Sequence, residues 1–269
     1  MKYINCKQYA QAILDEVKAI PNKKKLVIIT VGEDEASKVY VKGKMRDAEY
    51  CGIPCEHVKI PNSPSASPRL IDKIQYYNED DNTAGIILQL PLPKELGDIE
   101  YYELIVPWKD VDGLGKESWF DPCTPKGIMY LLEKELGDLT GKSALVIGRS
   151  DLVGKPLAKM LLDKDCTVTV AHSKSNAFDL DRIMSYADIV VSAVGKANLV
   201  NLCKCEFAEI VVDVGINRDA NGKLVGDCFN FEENDHYFRD VKVTPVPGGV
   251  GLLTRAMLMK NVAEASGMN

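Results

Sequence analysis

Residues 143–156 read Ser-Ala-Leu-Val-Ile-Gly-Arg-Ser-Asp-Leu-Val-Gly-Lys-Pro, and Leu-Ala-Lys-Met-Leu-Leu-Asp-Lys follows at 157–164. A short apolar β-forming run enters a glycine turn, and the turn enters a helical pattern, which is how a βαβ unit begins. Glycines at a strand end and helix start let backbone N–H groups approach a pyrophosphate at the positive helix terminus. The spacing is Gly148-x₅-Gly154 rather than G-x-G-x-x-G, so the same residues also fit a plain tight βα turn.

The second strand of the unit, Thr167–Val170, runs into Ala171-His172-Ser173-Lys174-Ser175. No acid stands there to grip a ribose 2′-OH, as an NAD site usually has. Arg149 offers a charged fork, and Ser150, Ser173 and Lys174 offer further donors, so charge complementarity favours NADP. The competing reading makes Arg149 and Lys174 solvated surface charges.

Outward from this unit, apolar β-rich runs alternate with helical patterns along the chain, the pattern of parallel βα units and an α/β class. Ser143–Ile147 is followed by Thr167–Val170, Ile189–Ala193 and Ile210–Val214, with helices expected between them. It is preceded by Leu26–Thr30, Cys55–Ile60 and Gly85–Leu90, with helices over about Ala36–Tyr50 and Ser67–Asn78. Each half can form its own parallel sheet. Trp108 to Pro125, WKDVDGLGKESWFDPCTP, is rich in turn formers and marks the junction, and a helix is expected at Lys126–Glu135. After Val243, the loop Pro245-Val246-Pro247-Gly248-Gly249-Val250-Gly251 leads into an amphipathic stretch, Leu252–Ala265, too small to fold alone. That helix is expected to return to the first domain, leaving a cleft between two lobes.

The chain has 269 residues, 33 basic and 39 acidic, for a formal charge of −6. Such a balance is unsuited to wrapping a polyanion, so no nucleic-acid partner is expected. With 46% hydrophobic and 27% charged residues, the composition supports a well-buried core and excludes disorder. No run reaches the roughly 18 apolar residues of a membrane span, and MKYINCKQYAQAILDEV lacks the plan of a signal peptide. A soluble cytoplasmic protein with no membrane partner is expected. The cysteines at 6, 51, 55, 123, 166, 203, 205 and 228 form no Cys-x-x-Cys, and His57, His172 and His236 lie at no zinc-site spacing. Cys203 and Cys205 come nearest to a metal pair, and no metal is expected.

The segment Ser37-Lys38-Val39-Tyr40-Val41-Lys42-Gly43-Lys44 puts Ser37, Tyr40 and Lys44 on one helix face. A phenol and an amine beside a cofactor can position a flat substrate and shuttle a proton, provided burial makes the lysine less basic. The pattern equally describes an amphipathic face with a snorkelling lysine. Two segments favour the chemical reading. Gln89-Leu90-Pro91-Leu92-Pro93 ends a buried strand in an amide and a double-proline turn, and Lys109-Asp110-Val111-Asp112-Gly113 is an acid-rich turn at the junction. Both lie beyond strand carboxyl ends, where α/β sheets bind ligands.

Together, Ser37…Tyr40…Lys44, Gln89–Pro93, Lys109–Gly113, Pro122-Cys-Thr-Pro-Lys-Gly127, Gly148-Arg-Ser150…Val153-Gly154…Pro156 and Thr244-Pro-Val-Pro-Gly-Gly-Val-Gly251 resemble the methylenetetrahydrofolate dehydrogenase/methenyltetrahydrofolate cyclohydrolase family, the bifunctional FolD type. The six motifs occur in the family's order from about residue 30 to 260. The resemblance implies an N-terminal α/β catalytic domain of residues 1–121 plus about 245–269. It also implies a C-terminal Rossmann-like NADP-binding domain of residues 122–244, and a homodimer acting on tetrahydrofolate derivatives. Hydride would pass from 5,10-methylenetetrahydrofolate to NADP, and the methenyl cation would be hydrolysed to 10-formyltetrahydrofolate.

By the same resemblance Lys44 is the catalytic lysine, Tyr40 packs against and orients the folate, Gln89 hydrogen-bonds the lysine, and Asp112 binds the nitrogen edge of the pterin. Ser37, Leu90, Pro91, Pro247, Gly248 and Gly249 are expected on the substrate. Gly148, Arg149, Ser150, Val153, Gly154, His172, Ser173, Lys174, Gly195, Gly215 and Ile216 are expected on the cofactor. Two departures stand out. Leu252 and Leu253 replace the family's Pro and Met, which should slightly loosen the helix start, and LGKESWFD replaces a longer loop after Gly113, where Trp119 and Phe120 would cap the cleft differently. A dehydrogenase lacking the hydrolase step, and a non-catalytic NADP-binding sensor, are the rival readings.

Overall fold

The apolar runs Leu26–Ile29, Ile86–Leu88, Leu145–Ile147, Ile189–Val191 and Ile210–Val212 are buried throughout in the computed structural model. Strands covered on both faces by helices require such unbroken apolar runs. The structure describes residues 1–97, 99–231 and 241–268. In chain order the elements are β1 (Lys2–Tyr3), α1 (Cys6–Ala19), β2 (Lys25–Val31), α2 (Glu35–Tyr50), β3 (Cys55–Ile60), α3 (Ala66–Glu79), β4 (Thr83–Leu88), α4 (Cys123–Leu136), β5 (Ser143–Ile147), α5 (Gly154–Leu162), β6 (Thr167–Ala171), α6 (Ala177–Tyr186), β7 (Ile189–Ser192), β8 (Val200–Asn201), β9 (Ile210–Asp213), β10 (Asn217–Arg218), β11 (Leu224–Val225), β12 (Cys228–Phe229), β13 (Lys242–Val243) and α7 (Val250–Ser266).

The chain divides into two compact units. One comprises Met1–Ala10 and Thr124–Thr254 and holds a six-stranded sheet of order β1-β13-β9-β7-β5-β6, every pair parallel. Leu145, Ile147, Val190 and Val211 centre its core. The other comprises Gln11–Cys123 and Arg255–Asn269 and holds the parallel sheet β3-β2-β4, with Ile29, Leu70, Ile74, Ile86 and Tyr101 in its core. The α/β class and two parallel sheets match the expectation.

The last helix returns to the three-stranded unit, as expected, from Arg255 onward. Arg255 Nε donates to Asp47 Oδ2 at 2.7 Å, and buried Asn261 Nδ2 donates to the Val111 carbonyl at 2.9 Å. This helix is buried over most of its circumference rather than amphipathic.

Four local expectations need correction. Between β7 and β9 there is no helix but β8 and the 3₁₀ turn Leu202–Lys204. The first ten residues lie with the six-stranded sheet, because Lys2–Tyr3 pairs with Lys242–Val243. Residues 245–254 stay with that sheet too: the Asp213 N–H donates to Thr244 Oγ1 at 2.8 Å, the Thr124 and Thr254 hydroxyls lie 3.0 Å apart, and Gly127 packs on Leu253. Finally, α4 starts at Cys123, with Pro125 in its first turn, where its missing N–H costs nothing.

Candidate active site

In the three-stranded unit, Asp34 caps α2 by accepting from the Ser37 N–H at 2.7 Å, and this fixes the start of the helix that carries Tyr40 and Lys44. Ser37 and Lys44 are buried, and Tyr40 is exposed. Burial pushes the Tyr40 phenol up, with the Arg255 guanidinium opposing, so it stays protonated at neutral pH. Arg255 also grips Asp47, one turn beyond Lys44 on the same helix, and the absence of a side chain at Gly43 leaves room for its guanidinium. Sequence reading missed Arg255, one of two cations in a largely apolar helix.

Lys44 Nζ stands 3.8 Å from Asp112 Oδ2, both side chains largely withdrawn from water. Asp112 sits in the Lys109–Gly113 turn, whose other charged members are structural. Buried Lys109 donates to the Tyr77, Asn78 and Asp80 carbonyls at 2.8 to 3.0 Å. The Asp110 carboxylate accepts from the Gly115 N–H at 2.7 Å. Burial raises the Asp110 pKa, the Gly115 N–H opposes, and the Asp112 charge adds to the rise. Gly113 has φ of 71°, and a Cβ there would lie 2.7 Å from the Phe120 carbonyl oxygen, so the turn requires glycine. Asn261 pins the turn from α7, another contribution that no motif announces.

Gln89 lies just past β4 rather than in it. Its N–H donates to the Ile29 carbonyl at 2.9 Å and its Nε2 to the Leu90 carbonyl at 2.8 Å. Its Oε1 is buried with no partner among the described residues, an acceptor held in reserve. The Leu90–Pro91 peptide is cis. Phe120 is buried while Trp119 is exposed and tilts against Trp108 at 5.7 Å, so of the two aromatics Phe120 is core. A pocket of about 950 Å³ in this unit, lined by Lys42, Met45, Arg46, His57 and Arg255 among others, includes none of the expected site residues. It opens on a different face of α2, about 150° round from Lys44 by helical spacing.

In the six-stranded unit, the Gly148–Gly154 turn has no space for side chains at either glycine. A Cβ would lie 2.4 Å from the Ala193 oxygen at Gly148 and 2.2 Å from the Gly148 oxygen at Gly154. Ser150 Oγ accepts from the Val153 N–H at 3.2 Å and the Gly154 N–H at 3.4 Å, capping the helix with its own side chain. The N–H groups of Arg149, Ser150 and Leu152 have no partner among the described residues and remain for an anion. Arg149, Ser173 and Lys174 are exposed, and neither cation has an acidic partner among the described residues. His172 Nδ1 accepts from the Lys174 N–H at 3.2 Å and the Ser175 hydroxyl oxygen accepts from the His172 N–H at 3.0 Å, which shapes the acid-free turn after β6. The donor set fits a phosphorylated dinucleotide.

Gly195 and Gly215 follow β7 and β9 at the same sheet edge, and Ile216 is exposed there. Pro247 follows a cis peptide, Gly248 has φ of 96°, and a Cβ at Gly249 would lie 2.2 Å from the Pro245 oxygen. The Leu252 N–H donates to the Gly249 oxygen at 3.0 Å, a bond proline could not make, so the helix start keeps a compensating contact. Among the described residues no His, Cys, Asp and Glu group could hold a metal ion, and no helix is long and apolar enough to cross a membrane. His236 lies outside the described residues.

Two family models match the chain. The catalytic domain of tetrahydrofolate dehydrogenase/cyclohydrolase covers residues 4–112, and its NAD(P)-binding domain covers residues 122–269. A bifunctional protein FolD of Streptococcus suis is 45% identical over 249 residues, spanning 89% of this chain and 86% of that protein. The bifunctional FolD structure from Campylobacter jejuni superposes with a TM-score of 0.90 at 38% identity, covering 100% of this chain and 99% of the other. The Trypanosoma brucei FolD structure, complexed with NADP cofactor and inhibitor, gives 0.88 at 31% identity over 99% and 97% of the two chains. With both halves matched in order and a lysine–carboxylate pair in the catalytic half, the chain belongs to the tetrahydrofolate dehydrogenase/cyclohydrolase family of enzymes.

Proposed function

We propose that the protein oxidises 5,10-methylenetetrahydrofolate with NADP and hydrolyses the resulting 5,10-methenyltetrahydrofolate to 10-formyltetrahydrofolate. The observation that carries this reading is the Lys44 amine 3.8 Å from Asp112 in the unit matched by the catalytic-domain model. Folate chemistry belongs to the three-stranded unit and cofactor binding to the six-stranded one. By family resemblance the working form is a cytoplasmic homodimer.

Bound NADP supplies the hydride acceptor. The chain's part in that step is apposition: Tyr40 lies against the folate and Ser37, Leu90 and Pro91 complete its wall, with Pro247, Gly248 and Gly249 leaving backbone room for flat rings. Asp112 pairs with the donor-rich edge of the pterin. Loss of hydride leaves a methenyl carbon bonded to two nitrogens and electrophilic. Water adds to that carbon, Lys44 in its neutral amine form takes the water proton, and the same amine returns a proton to N5 as the carbon–N5 bond breaks, leaving the formyl group on N10 and one proton released. The free Gln89 acceptor orients the amine without adding charge. Arg149 and Lys174 take the 2′-phosphate, with Ser150, Ser173 and His172 beside it, and Gly148, Val153 and Gly154 shape the pyrophosphate turn.

Methenyltetrahydrofolate as sole substrate, without nucleotide, tests the assignment. Enzyme-dependent hydrolysis is expected. A chain that reduces NADP with the methylene compound but fails here is a dehydrogenase only, and one that binds NADP and does neither is a sensor.

A further inference from the structure

Two aspartates that no motif singled out are sealed inside the six-stranded unit. Asp227 is 0% and Asp213 4% exposed. Asp227 Oδ2 accepts from the Ser192 hydroxyl at 2.9 Å, the Val194 N–H at 3.0 Å and the Gly195 N–H at 3.2 Å. Its Oδ1 accepts from the Lys196 N–H at 2.8 Å and from Asn217 Nδ2 at 3.0 Å. Asp213 holds the holder: Oδ1 accepts from the Asp227 and Gly215 N–H groups, both at 3.0 Å, and Oδ2 from the Cys228 N–H at 2.9 Å. The neighbouring glycines have no freedom to change, since a Cβ at Gly215 would lie 2.0 Å from Asp227 Oδ1, and one at Gly226 1.9 Å from Asp213 Oδ2.

The segments so gripped, 194–196 and 215–217, leave the carboxyl ends of adjacent parallel strands β7 and β9, paired at Ser192 and Asp213. In open α/β sheets, ligands lie beyond those ends. A buried carboxylate is tolerable only when donors surround it, and five donors surround Asp227. Three consecutive N–H groups are thereby turned inward. The carbonyls of Val194, Gly195 and Gly215 have no donor among the described residues. This edge can therefore accept hydrogen bonds but has few donors left for phosphate, whereas the Gly148–Gly154 turn has free N–H groups for it.

We infer that Asp227, itself fixed by Asp213, is a positioning residue for the dinucleotide: it turns the 194–196 backbone, and through the Asn217 side chain and the Gly215 N–H the two aspartates together hold 215–217, so that carbonyls meet the carboxamide –NH₂ of the nicotinamide end. The inference rests on the proposed cofactor roles of Gly195, Gly215 and Ile216. Preorganised loops spare the ligand the cost of ordering them.

The test compares wild type, D227N and S192A. D227N keeps the shape but places an –NH₂ group where an acceptor stood, facing donors, and S192A deletes one peripheral donor. In the nucleotide-free protein, amide hydrogen exchange at 194–196 should speed up in D227N and, less so, in S192A. Calorimetric NADP affinity should fall roughly tenfold or more in D227N and a few-fold in S192A. NAD should lose affinity by the same factor, since the nicotinamide end is common to both, and nucleotide-free methenyl hydrolysis should stay within about twofold. A merely structural role would slow that hydrolysis in parallel with the lost affinity. That parallel loss, or wild-type NADP affinity in a folded D227N, overturns the inference. If D227N does not fold, S192A decides alone: unchanged exchange and affinity overturn it. Wild-type protein that binds neither nucleotide defeats the cofactor reading instead, while the exchange result still judges the clamp.

Discussion

Replacing Lys44 by Met separates folding from chemistry. The side chain is 10% exposed, and its amine stands 3.8 Å from Asp112. At an effective dielectric of about 20 that spacing is worth about 4 kcal/mol of attraction, most of it offset by dehydration of the two ions. Methionine fills the same stem volume and is as good a helix former. Asp112 keeps 20% of its side-chain surface in water, so the orphaned carboxylate should cost the fold about 1 to 3 kcal/mol. The variant should therefore fold and bind NADP like wild type. Methenyl hydrolysis, followed by loss of the substrate chromophore, should fall by about 10² to 10⁴, the usual contribution of a positioned acid/base. Hydrolysis within about threefold of wild type in folded K44M would remove Lys44 from the mechanism.

Asp112→Asn should raise the folate KM of both reactions by roughly 10- to 150-fold, the loss of a charge-assisted pair worth about 1.5 to 3 kcal/mol; steady-state kinetics confined to one impaired reaction would make Asp112 a chemical group rather than a binding one. Arg149→Ala should raise the KM for NADP by roughly tenfold or more and leave NAD unchanged, since only NADP carries the 2′-phosphate; an equal effect on both would remove the 2′-phosphate from Arg149, and no effect on either would show a solvated arginine. Asp80, whose backbone oxygen accepts from Lys109 under the Asp112 turn, has its carboxyl held down at about 2, chiefly by the Thr83 hydroxyl. A depressed pKa gives stability that is present above the ordinary aspartate value and lost as pH falls toward about 2. Asp80→Asn should therefore flatten the acid side of the thermal stability profile by about 1 kcal/mol after solvent screening, and an unchanged slope below pH 4 would contradict this.

The long buried strands were legible because unbroken β-branched runs leave no other solution, and the Gly148 turn because two glycines fall where a strand meets a helix. The Lys2–Tyr3 strand was not, since two residues carry no period and the partner lies some 240 residues away. Alternation of strands and helices leads one to expect a helix between β7 and β9, but Asn201–Cys205 closes instead as a 3₁₀ turn capped by the Asn201 side chain. In the site, Ser37, Tyr40 and Lys44 follow from helical spacing. The acid-rich turn Lys109–Gly113 does not show in sequence that Lys109 and Asp110 are structural, because the carbonyls at the end of α3 and the Gly115 amide that consume them lie outside the motif. Arg255, Asn261, Asp213 and Asp227 went unread, since what defines each is a partner at least ten residues away.

The claim that one chain carries both activities is tested most directly by supplying purified enzyme with 5,10-methylenetetrahydrofolate and NADP, and quantifying NADPH and 10-formyltetrahydrofolate in the same reaction. The account predicts that both form, with formyl product approaching one per NADPH and its initial rate exceeding the uncatalysed hydrolysis of the methenyl compound under identical conditions. NADPH accompanied by formyl product at only the uncatalysed rate, or no NADPH at all, would contradict it.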